Sequence, residues 1–416
     1  MSVQERSVEH VTCLGCGCAC DDITVVVQQD RIAETRNACA LGAAWFGDGA
    51  IPGETRVNGR NASLADALVE AARILRAARR PLVYLAADLS CEAQREAVAL
   101  SDRVGALLDT VTSVAAAGIL AAQRRGRAGA TLGEIRQRAD LVVFWGVDPV
   151  ERYPRFAARY AVEPRGLAAP RGRSSRTVIA VDVGACRGPT DADARVAIGG
   201  PHEVDALGVM RATVQGRMAG DDARFRGAAE LARRMSQGHY VALVADGEPG
   251  ADPADPDRAE GLVTLAQALN APTRCALVVL RGGGNRSGAD AVLTWQTGFP
   301  FAVDFAPGVP AYRPHAGAAA LVAAGEIDAA CVIGSAASVP EPLVGGLARL
   351  PSVAIGPRAS AASFRPAVAV DTGVAGIHEG GTAFRMDDVP LPLRPPLAGP
   401  PTAAGTLRSL RERLGA

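Results

Sequence analysis

Short, continuously apolar runs separated by helix-like segments recur along most of the chain, and this alternation constrains the fold more than any other feature. Runs without polar interruptions are typical of strands that are covered on both faces of a sheet. They lie at 82–86, 141–145, 177–181, 241–245, 276–280, 330–333 and 353–355. Helices are predicted between them, at 60–80, 92–104, 202–216 and 222–236. Strands that alternate with helices predict doubly wound α/β units.

The first predicted helix carries its own start and stop signals. Ser63 and Asp66 match a capping box, in which side chain and backbone at the start of a helix satisfy each other. Apolar residues follow at helical spacing, and Pro81 ends the helix because proline cannot continue the hydrogen-bond ladder.

The charge balance and the hydropathy of the chain exclude several classes of partner. The 416 residues carry 44 basic and 44 acidic side chains, with no basic stripe interleaved with aromatic rings, so nucleic acid is not expected as a partner. Residues 1–10 are polar, and no apolar run reaches the length of about 18 residues that spans a bilayer. The chain is expected to be cytoplasmic, with no membrane partner and with reduced thiols.

Five cysteines crowd the first forty residues. Cys13, Cys16, Cys18 and Cys20 read C-x2-C-x-C-x-C, and Cys39 follows after a gap of 18 residues. Thiolates that cluster in this way usually hold a metal ion or an iron–sulfur cluster. A short β-branched strand is predicted directly after the cluster, at residues 23 to 27.

The spacing of the cluster leaves several occupants open. Cys13, Cys16 and Cys20 form a C-x2-C-x3-C loop that can wrap one corner of a cubane cluster, with Cys39 as the fourth ligand. Zinc could use the same four thiolates. A third alternative is a vestigial cluster of thiols that only pack against each other. Cys18 is an additional thiol with no assigned role.

Other segments offer weaker candidates for chemistry. The dispersed histidines lack the H-x-H or H-E-x-x-H spacing of zinc hydrolases. They are His10, His202, His239, His315 and His378. The glycine-rich stretch 281–288 could cradle a phosphate or form a plain turn, and residues 380–382 offer a similar loop. The loop 148–156 follows a predicted strand, where α/β folds often bind ligands.

Motifs spread along the chain point to one family. The cysteine-rich stretch reads Cys13-Leu-Gly-Cys-Gly-Cys-Ala-Cys-Asp-Asp-Ile, followed by Asn37-Ala-Cys-Ala-Leu-Gly-Ala. The others are Ala130-Thr-Leu-Gly-Glu-Ile, Arg138-Ala-Asp-Leu-Val-Val-Phe-Trp-Gly, Tyr153-Pro-Arg, Thr294-Trp-Gln-Thr-Gly-Phe-Pro, Val303-Asp-Phe and Glu379-Gly-Gly-Thr-Ala-Phe-Arg-Met-Asp. Together they resemble the B subunit of formylmethanofuran dehydrogenase, a member of the molybdopterin oxidoreductase superfamily, over almost the whole chain.

The resemblance implies an α/β fold with a small N-terminal cysteine-rich unit and two Rossmann-like α/β units. We place the cysteine-rich segment at 1–55, the Rossmann-like units at 56–180 and 275–390, an inserted α/β unit at 181–274 and a tail at 391–416. The Rossmann-like units could be discontinuous. Linkers or loops are predicted at 163–176 and 247–258, and the tail is expected to wrap the surface because it is rich in proline and glycine.

The resemblance also implies cofactors. A 4Fe–4S cluster would be held by Cys13, Cys16, Cys20 and Cys39, and a molybdenum or tungsten ion would be carried on two pterin dinucleotides. The protein ligand of that ion is a cysteine or selenocysteine directly before the Thr-Leu-Gly-Glu motif, where this chain has Ala130 and no cysteine within 30 residues on either side. A methyl group cannot donate electrons to a metal. We therefore assign no catalytic or cofactor-binding residue, expect no molybdenum or tungsten pterin, and leave open whether the 4Fe–4S site is occupied or vacant.

This departure resembles the B-like component of a bacterial formyltransferase/hydrolase complex. The resemblance implies a non-redox structural role, with the A, C and D subunits as partners. The complex would move a formyl group from tetrahydromethanopterin to a methanofuran-type cofactor and release formate, with hydrolysis and transfer on partner subunits. Two alternatives remain: an active B subunit of a molybdenum or tungsten formylmethanofuran dehydrogenase, and a thiol-ligated Fe–S or zinc protein that acts alone.

Overall fold

The computed structural model describes residues 5–166, 168–217, 222–247 and 256–415. The chain forms two compact units. The first combines Met1–Val114 with Gly283–Ala416, and the second is Ala115–Gly282. Among the described residues, the first unit contains sheets of nine, three and two strands, and the second unit contains a sheet of five strands.

Strands and helices alternate as the sequence predicts. The strands are β1 (Glu5–Val11), β2 (Ile23–Gln28), β3 (Arg31–Arg36), β4 (Thr55–Val57), β5 (Arg60–Asn61), β6 (Pro81–Leu85), β7 (Leu107–Thr110), β8 (Leu141–Trp145), β9 (Thr177–Val183), β10 (Ala194–Ile198), β11 (Tyr240–Asp246), β12 (Arg274–Leu280), β13 (Val303–Asp304), β14 (Ala311–Tyr312), β15 (Ala329–Ile333), β16 (Ser352–Gly356), β17 (Val368–Asp371), β18 (Gly381–Phe384) and β19 (Pro390–Leu393). The α-helices are α1 (Ala40–Phe46), α2 (Leu64–Ala77), α3 (Cys91–Val104), α4 (Ala117–Arg125), α5 (Leu132–Arg138), α6 (Glu203–Val214), α7 (Arg226–Gln237), α8 (Pro256–Leu269), α9 (Arg286–Thr297), α10 (Ala318–Ala323), α11 (Glu341–Leu347) and α12 (Ala403–Gly415).

The large sheet of the first unit has a doubly wound centre. Its strand order is β14-β13-β7-β6-β15-β16-β17-β4-β5. The five strands from β7 to β17 are parallel, and their chain order across the sheet is the flavodoxin-like 2-1-3-4-5. Antiparallel strands β13 and β4 extend the sheet on either side. The strand order reverses between β6 and β15, and such points are where α/β sheets bind ligands, beyond the carboxyl ends of the strands.

Helices cover both faces of this sheet. Helices α2, α3, α9 and α12 pack on one face, against strand residues such as Val83 and Cys331. Helices α10 and α11 pack on the other face, against neighbours of those residues such as Leu82 and Val332. Successive residues of a strand point to opposite faces, so each strand supplies two cores. This is the physical reason that the runs are apolar without interruption.

The second unit has a five-stranded parallel sheet. Its order is β10-β9-β8-β11-β12, which in chain order is 3-2-1-4-5, the Rossmann arrangement. Helices α6, α7 and α8 contribute to its core with strand residues such as Val143 and Trp145. The α/β fold class expected from the sequence is confirmed. No helix within the described ranges is both long and apolar enough to cross a membrane.

Local signals in the sequence place several elements correctly. Helix α2 begins after Ser63, whose Oγ accepts a hydrogen bond from Asp66 N at 3.1 Å, as the capping box predicts. Strand β8 has the predicted bounds, and the other predicted apolar strands differ from theirs by one or two residues at an end. The remaining strands were not predicted, because they are too brief or too polar to give a periodic signal; they are β1, β3, β4, β5, β7, β10, β13, β14, β17, β18 and β19.

The boundaries of the units differ from those drawn on the sequence. The proposed inserted unit, 181–274, lies within the second unit, which begins at residue 115 and ends at 282. Strands β8 and β9, placed by the prediction in the segment 56–180, pair with β11 and β10 instead. The composition of an apolar strand does not specify which sheet it joins, so the partners of these strands could not be predicted from the sequence.

The segments predicted as tail and loops have mixed outcomes. Within the tail 391–416, α12 does not simply wrap the surface, since Leu407 and Leu410 are fully buried in the core of the first unit. Among the described residues of the loop 163–176, only a short 3-10 turn at Gly172–Ser175 is regular. Of the loop predicted at 247–258, residues 248–255 lie outside the described residues, and α8 begins at Pro256.

Candidate functional site

The four predicted ligand cysteines lie in the first unit on two segments. Cys13, Cys16 and Cys20 lie on the loop between β1 and β2, and Cys39 directly precedes α1. A hydrogen bond of 2.9 Å from Cys13 N to Cys20 O closes the loop. Cys39 is the N-cap of α1, and its Sγ accepts a hydrogen bond from Gly42 N at 3.4 Å. The position of this thiol is therefore fixed by the start of the helix.

Burial and proximity both act on the Cys13 thiol. Burial raises its pKa far above the usual range, while a hydrogen bond from Gly15 N at 3.4 Å acts in the opposite sense. Charge repulsion from Cys20, Cys16 and Cys39 raises the pKa further. The other three thiols are thus close enough to Cys13 to interact with it electrostatically. The Cys13 thiol therefore stays protonated unless a positive metal centre compensates its thiolate charge.

Glycines give the cysteines room and hydrogen-bond donors. A Cβ atom on Gly42 would lie 3.2 Å from Cys13 Sγ and 3.7 Å from Cys39 Sγ, so a larger residue would crowd the Cys13 thiol. Four thiolates with N–H donors to sulfur are the donor chemistry that holds a 4Fe–4S cluster. Among the described residues, no group of three or more His, Cys, Asp or Glu side chains is drawn close enough to hold a metal ion. The chemistry of these donors suits a thiolate-bound group. In the described part of the chain, however, the ligand side chains are not close enough together to form a site for a single metal ion.

The remaining cysteines have other surroundings. Cys18 is fully buried in the cysteine loop. Burial raises the pKa of Cys91 to about 11 and the pKa values of Cys275 and Cys331 to about 12. The last two lie in the apolar cores, where a thiol acts as a small apolar side chain.

The glycine-rich stretch considered for phosphate binding packs against the cysteine loop. Gly284 N donates to Leu14 O at 2.8 Å, and Asp88 N donates to Gly284 O at 2.9 Å. A Cβ atom on Gly283 would lie 2.0 Å from Leu14 O, and one on Gly284 would lie 2.3 Å from Ala87 Cβ. The glycines therefore let two backbones approach, and they connect the cysteine loop to the turn after β6.

The C-terminal signature supports the same region. Met386 N donates to Gly17 O in the cysteine loop at 3.0 Å. The buried Glu379 carboxylate accepts hydrogen bonds of 2.9 Å from Ser90 Oγ and from Ala403 N. Glu379 therefore joins the starts of α3 and α12, a structural role that explains its place in the motif.

The loop 380–382, the second glycine-rich loop singled out in the sequence, binds a carboxylate of the same chain. Thr382 donates to Glu92 through its backbone N–H at 2.9 Å and through Oγ1 at 3.1 Å. A Cβ atom on Gly381 would lie 2.2 Å from Glu92 Oε2, so the glycine makes room for that carboxylate. The donors of this loop are engaged within the first unit.

His378, the histidine nearest to the C-terminal signature, is held as a neutral ring. Its Nδ1 accepts a hydrogen bond from Val374 N at 3.3 Å, and its Nε2 lies 2.8 Å from Gly49 O. An imidazole that accepts at one nitrogen and donates at the other carries a single proton. Burial lowers the pKa of His378, and the bond to Gly49 acts in the opposite sense. His378 therefore has a structural role here.

This environment predicts a pH dependence of stability. Unfolded His378 titrates near pH 6.5, and the folded ring titrates lower, so the unfolded chain binds the proton more readily. We expect the free energy of unfolding to fall as the pH drops from about 6.5 towards the folded pKa. Urea unfolding across this window should show a smaller fall for His378→Gln. His239→Gln, which alters an exposed histidine, is the control. An unchanged pH profile in His378→Gln would contradict this assignment.

Position 130 lies in the second unit, between α4 and α5. Ala130 is half-buried, and its two neighbours are exposed. Thr131 caps α5, its Oγ1 accepting a hydrogen bond from Glu134 N at 3.0 Å. On the other side, Ala128 O accepts a hydrogen bond from Leu277 N of β12 at 2.7 Å. The segment is anchored at both ends around a side chain that has no metal-binding atom.

A buried arginine, Arg176, fixes the helix that follows position 130. Arg176 is 4% exposed, and burial lowers its pKa to about 10. Its guanidinium donates, at 2.6 to 3.2 Å, to the carbonyl oxygens of Ile135, Arg136, Ala139, Tyr160 and Ala161. Among them, Arg136 O lies in the last turn of α5 and therefore has no donor within the helix. Cations are favoured at such helix ends.

The predicted loop after β8 is anchored at the end of a neighbouring strand. Arg152 Nη1 and Tyr153 Oη donate to Asp246 at 2.5 and 3.2 Å. Asp246 ends β11, and the strand order of the second sheet reverses between β8 and β11. The loop therefore lies at the sheet edge where Rossmann-type folds bind ligands. A single π-helical turn, Ala157–Ala161, follows it.

Sequence reasoning missed several supporting residues. Trp45 Nε1 donates to Asp88 Oδ1 at 3.1 Å, which links α1 to the turn after β6. The only available signal was that Asp88 follows an apolar strand. Arg176 and Gly283 gave none, because their roles depend on segments far away in the sequence.

Comparisons with known proteins identify relatives that span most of the chain. No protein-family model matches it. The B subunit of the tungsten-containing formylmethanofuran dehydrogenase 2 of Methanocaldococcus jannaschii is 33% identical over 409 residues, covering 94% of this chain and 93% of the relative. The protein of the same name from Methanococcus maripaludis is 31% identical over 413 residues, covering 94% of each chain.

A second group of matches comes from a bacterial complex. The B subunit of the formyltransferase/hydrolase complex Fhc of Methylorubrum extorquens is 31% identical over 360 residues, covering 84% of this chain and 95% of the relative. A chain in the crystal structure of the complex FhcABCD from Methylorubrum extorquens, solved with methylofuran, superimposes with a TM-score of 0.70 at 29% identity. That match covers 86% of this chain and 98% of the other.

Proposed function

Because this chain belongs to the family of formylmethanofuran dehydrogenase B subunits, we propose that it is the non-redox B-type subunit of a formyltransferase/hydrolase complex. In this proposal the complex moves a formyl group from tetrahydromethanopterin to a methanofuran-type cofactor and releases formate. The chain has a structural role, and partner subunits of the A, C and D types carry transfer and hydrolysis. Similarity to the Fhc B subunit and to a chain of FhcABCD supports the proposal.

The observation that carries this proposal is Ala130. Overall identity does not separate the alternatives, since the dehydrogenase and Fhc relatives are all 31 to 33% identical to the chain. The side chain at position 130 supports the non-redox subunit over an active dehydrogenase subunit. Its methyl group has no lone pair for tungsten or molybdenum, whereas the family resemblance implies a sulfur or selenium ligand. Cys275, in the same unit, is buried in the apolar core.

The cysteine loop has a defined part in the proposal. Cys13, Cys16, Cys20 and Cys39 would hold a 4Fe–4S cluster, which supplies one-electron transfer when it is bound in a redox enzyme. The N–H groups of Gly15 and Gly42 would then stabilise the thiolate charges, because charge-assisted hydrogen bonds are stronger than neutral ones. In a non-redox protein such a group would act as a staple between the loop and α1.

One observation favours a second candidate, an active B subunit of a tungsten or molybdenum formylmethanofuran dehydrogenase. The tungsten-containing relatives cover 94% of this chain, compared with 84% for the Fhc B subunit. In that case the metal would be bound without a protein thiolate at position 130.

Activity assays on the purified native complex distinguish these two candidates. The non-redox proposal predicts formyl transfer and release of formate, with no viologen-linked oxidation of formylmethanofuran. Oxidation at a turnover comparable to hydrolysis would overturn it in favour of the dehydrogenase.

Gel filtration of native extract tests the assembly. We expect the chain to co-elute with three partner chains in a fixed ratio. Elution of the chain by itself would instead support a thiol protein that acts alone.

A further inference from the structure

A cavity of about 190 Å³ lies in the first unit where the strand order of the large sheet reverses. Asp88 follows β6 and Ser335 follows β15, the two strands at the reversal. The side chains on the wall that carry a polar atom are those of Trp45, Asp48, Asp88, Ser335, Arg358 and His378. Doubly wound sheets bind their ligands at this position.

Asp88 places a carboxylate on the wall of this cavity, and one of its oxygens can still accept a hydrogen bond. Its Oδ1 accepts the hydrogen bond from Trp45 Nε1, and within the described part of the chain no donor is paired with Oδ2. Burial raises the pKa of Asp88, while the Trp45 bond and the charge of Arg286 act in the opposite sense. An ionised carboxylate in this position gains stability from a counter-ion, because a buried charge is costly without a partner.

The backbone holds Asp88 in place. Its φ is +65°, in the left-handed region, and its N–H donates to Gly284 O at 2.9 Å. The aspartate is therefore fixed by the glycine-rich stretch on one side and by Trp45 on the other. A carboxylate fixed in this way loses little side-chain entropy when it binds a ligand.

The other charged groups lie at the rim of the cavity. Asp48 forms an exposed ion pair with Arg31 at 3.3 Å. An ion pair that is exposed to solvent contributes little to the free energy of folding. Arg358 is exposed and donates to a backbone carbonyl of the rim at 3.0 Å. His378 is neutral in the geometry described above. Asp88 is thus the anionic group on the inner wall.

We propose that this cavity binds an organic cation, an alkylammonium or guanidinium group, with Asp88 as counter-ion and Trp45 beside it. A carboxylate next to an aromatic ring recognises such cations, and tryptophan is the best of the rings. The Ser335 hydroxyl offers a further acceptor. The volume suits a group the size of an amino-acid side chain. The cation comes either from a free amine or from a lysine or arginine side chain of a partner protein.

Calorimetric titration of the full chain with methylguanidinium and ethylammonium tests whether a free organic cation binds in the cavity. We expect Asp88→Asn to weaken binding at least about tenfold, since a close charge pair is lost. Asparagine tolerates the left-handed backbone and can still accept the Trp45 hydrogen bond, so the variant should fold. The control Asp102→Asn, which alters an exposed residue of α3, should bind as the wild type does. The neutral isosteres methylurea and ethanol should not bind to the wild-type chain.

Co-purification of the native complex tests the partner side chain. If neither cation binds the isolated chain, Asp88→Asn should weaken retention of partner subunits at least about tenfold relative to Asp102→Asn. Either Asp88-dependent result supports the proposal and identifies the source of the cation. Equal binding by wild type and Asp88→Asn, binding of the neutral isosteres, or no effect in both experiments would overturn it.

Discussion

Gly283→Ala is expected to destabilise the first unit strongly and to expose the cysteine loop. The new Cβ atom would lie 2.0 Å from Leu14 O and 2.7 Å from Cys16 N, and both are backbone atoms. A flexible side chain could rotate away from such a clash, whereas a hydrogen-bonded loop has to move as a whole. Overpacking of this kind costs about 3 kcal/mol. The shift would also break the hydrogen bond from Gly284 N to Leu14 O.

Urea unfolding and the rate at which a disulfide reagent modifies the thiols measure the two effects. We expect a lower midpoint and faster modification in Gly283→Ala. Gly345→Ala in α11 of the same unit is the matched control, because its Cβ atom would meet nothing within 4 Å. That change should be neutral or stabilise by about 0.5 kcal/mol. Equal stability and equal thiol protection in the two variants would show that Gly283 does not hold the loop.

Arg176→Met is expected to destabilise the second unit by about 3 kcal/mol, because each buried carbonyl oxygen that is left without a donor costs about 1–3 kcal/mol. The methionine would fill much of the volume, but all five carbonyl oxygens would lose the guanidinium, and those of Ala139 and Ala161 would be left without a donor. Two of the five carbonyls belong to α5, which follows position 130. The helix is therefore expected to fray together with the segment that carries Ala130.

Thermal unfolding and amide hydrogen exchange of α5 measure this result. Arg176→Lys should lie between wild type and Arg176→Met, because an ammonium group keeps the charge but cannot reach all five acceptors. Arg171→Met changes an exposed arginine nearby and should leave stability within about 0.5 kcal/mol. Protection of α5 that survives in Arg176→Met would mean that the carbonyls find other donors.

Much of the fold could be predicted because each central strand contributes side chains to the apolar cores on both faces of its sheet. Val83 and Leu82 point to opposite faces of one strand, so the run is apolar throughout and visible in the sequence. The capping box at Ser63 is equally local. Sheet membership was not visible, since β8 pairs with β11, which lies about a hundred residues later, and no local pattern specifies that partner.

The candidate site was predictable only where its chemistry is concentrated in the sequence. The cysteines could be found from their spacing, and Ala130 stood out against a motif. The residues that support the cysteines could not be found, because Gly283 meets Leu14 across more than half of the chain. Trp45 and Asp88 become a pair only through the packing of α1 on the turn after β6.

Metal and pterin analysis of the purified native complex tests the non-redox proposal most directly. If Ala130 marks the loss of the metal ligand, the complex should contain no stoichiometric tungsten, molybdenum or pterin while it still releases formate. Iron content, measured on anaerobically purified protein, reports separately on the four cysteines. One tungsten or molybdenum ion with two pterin dinucleotides per chain would contradict the non-redox proposal.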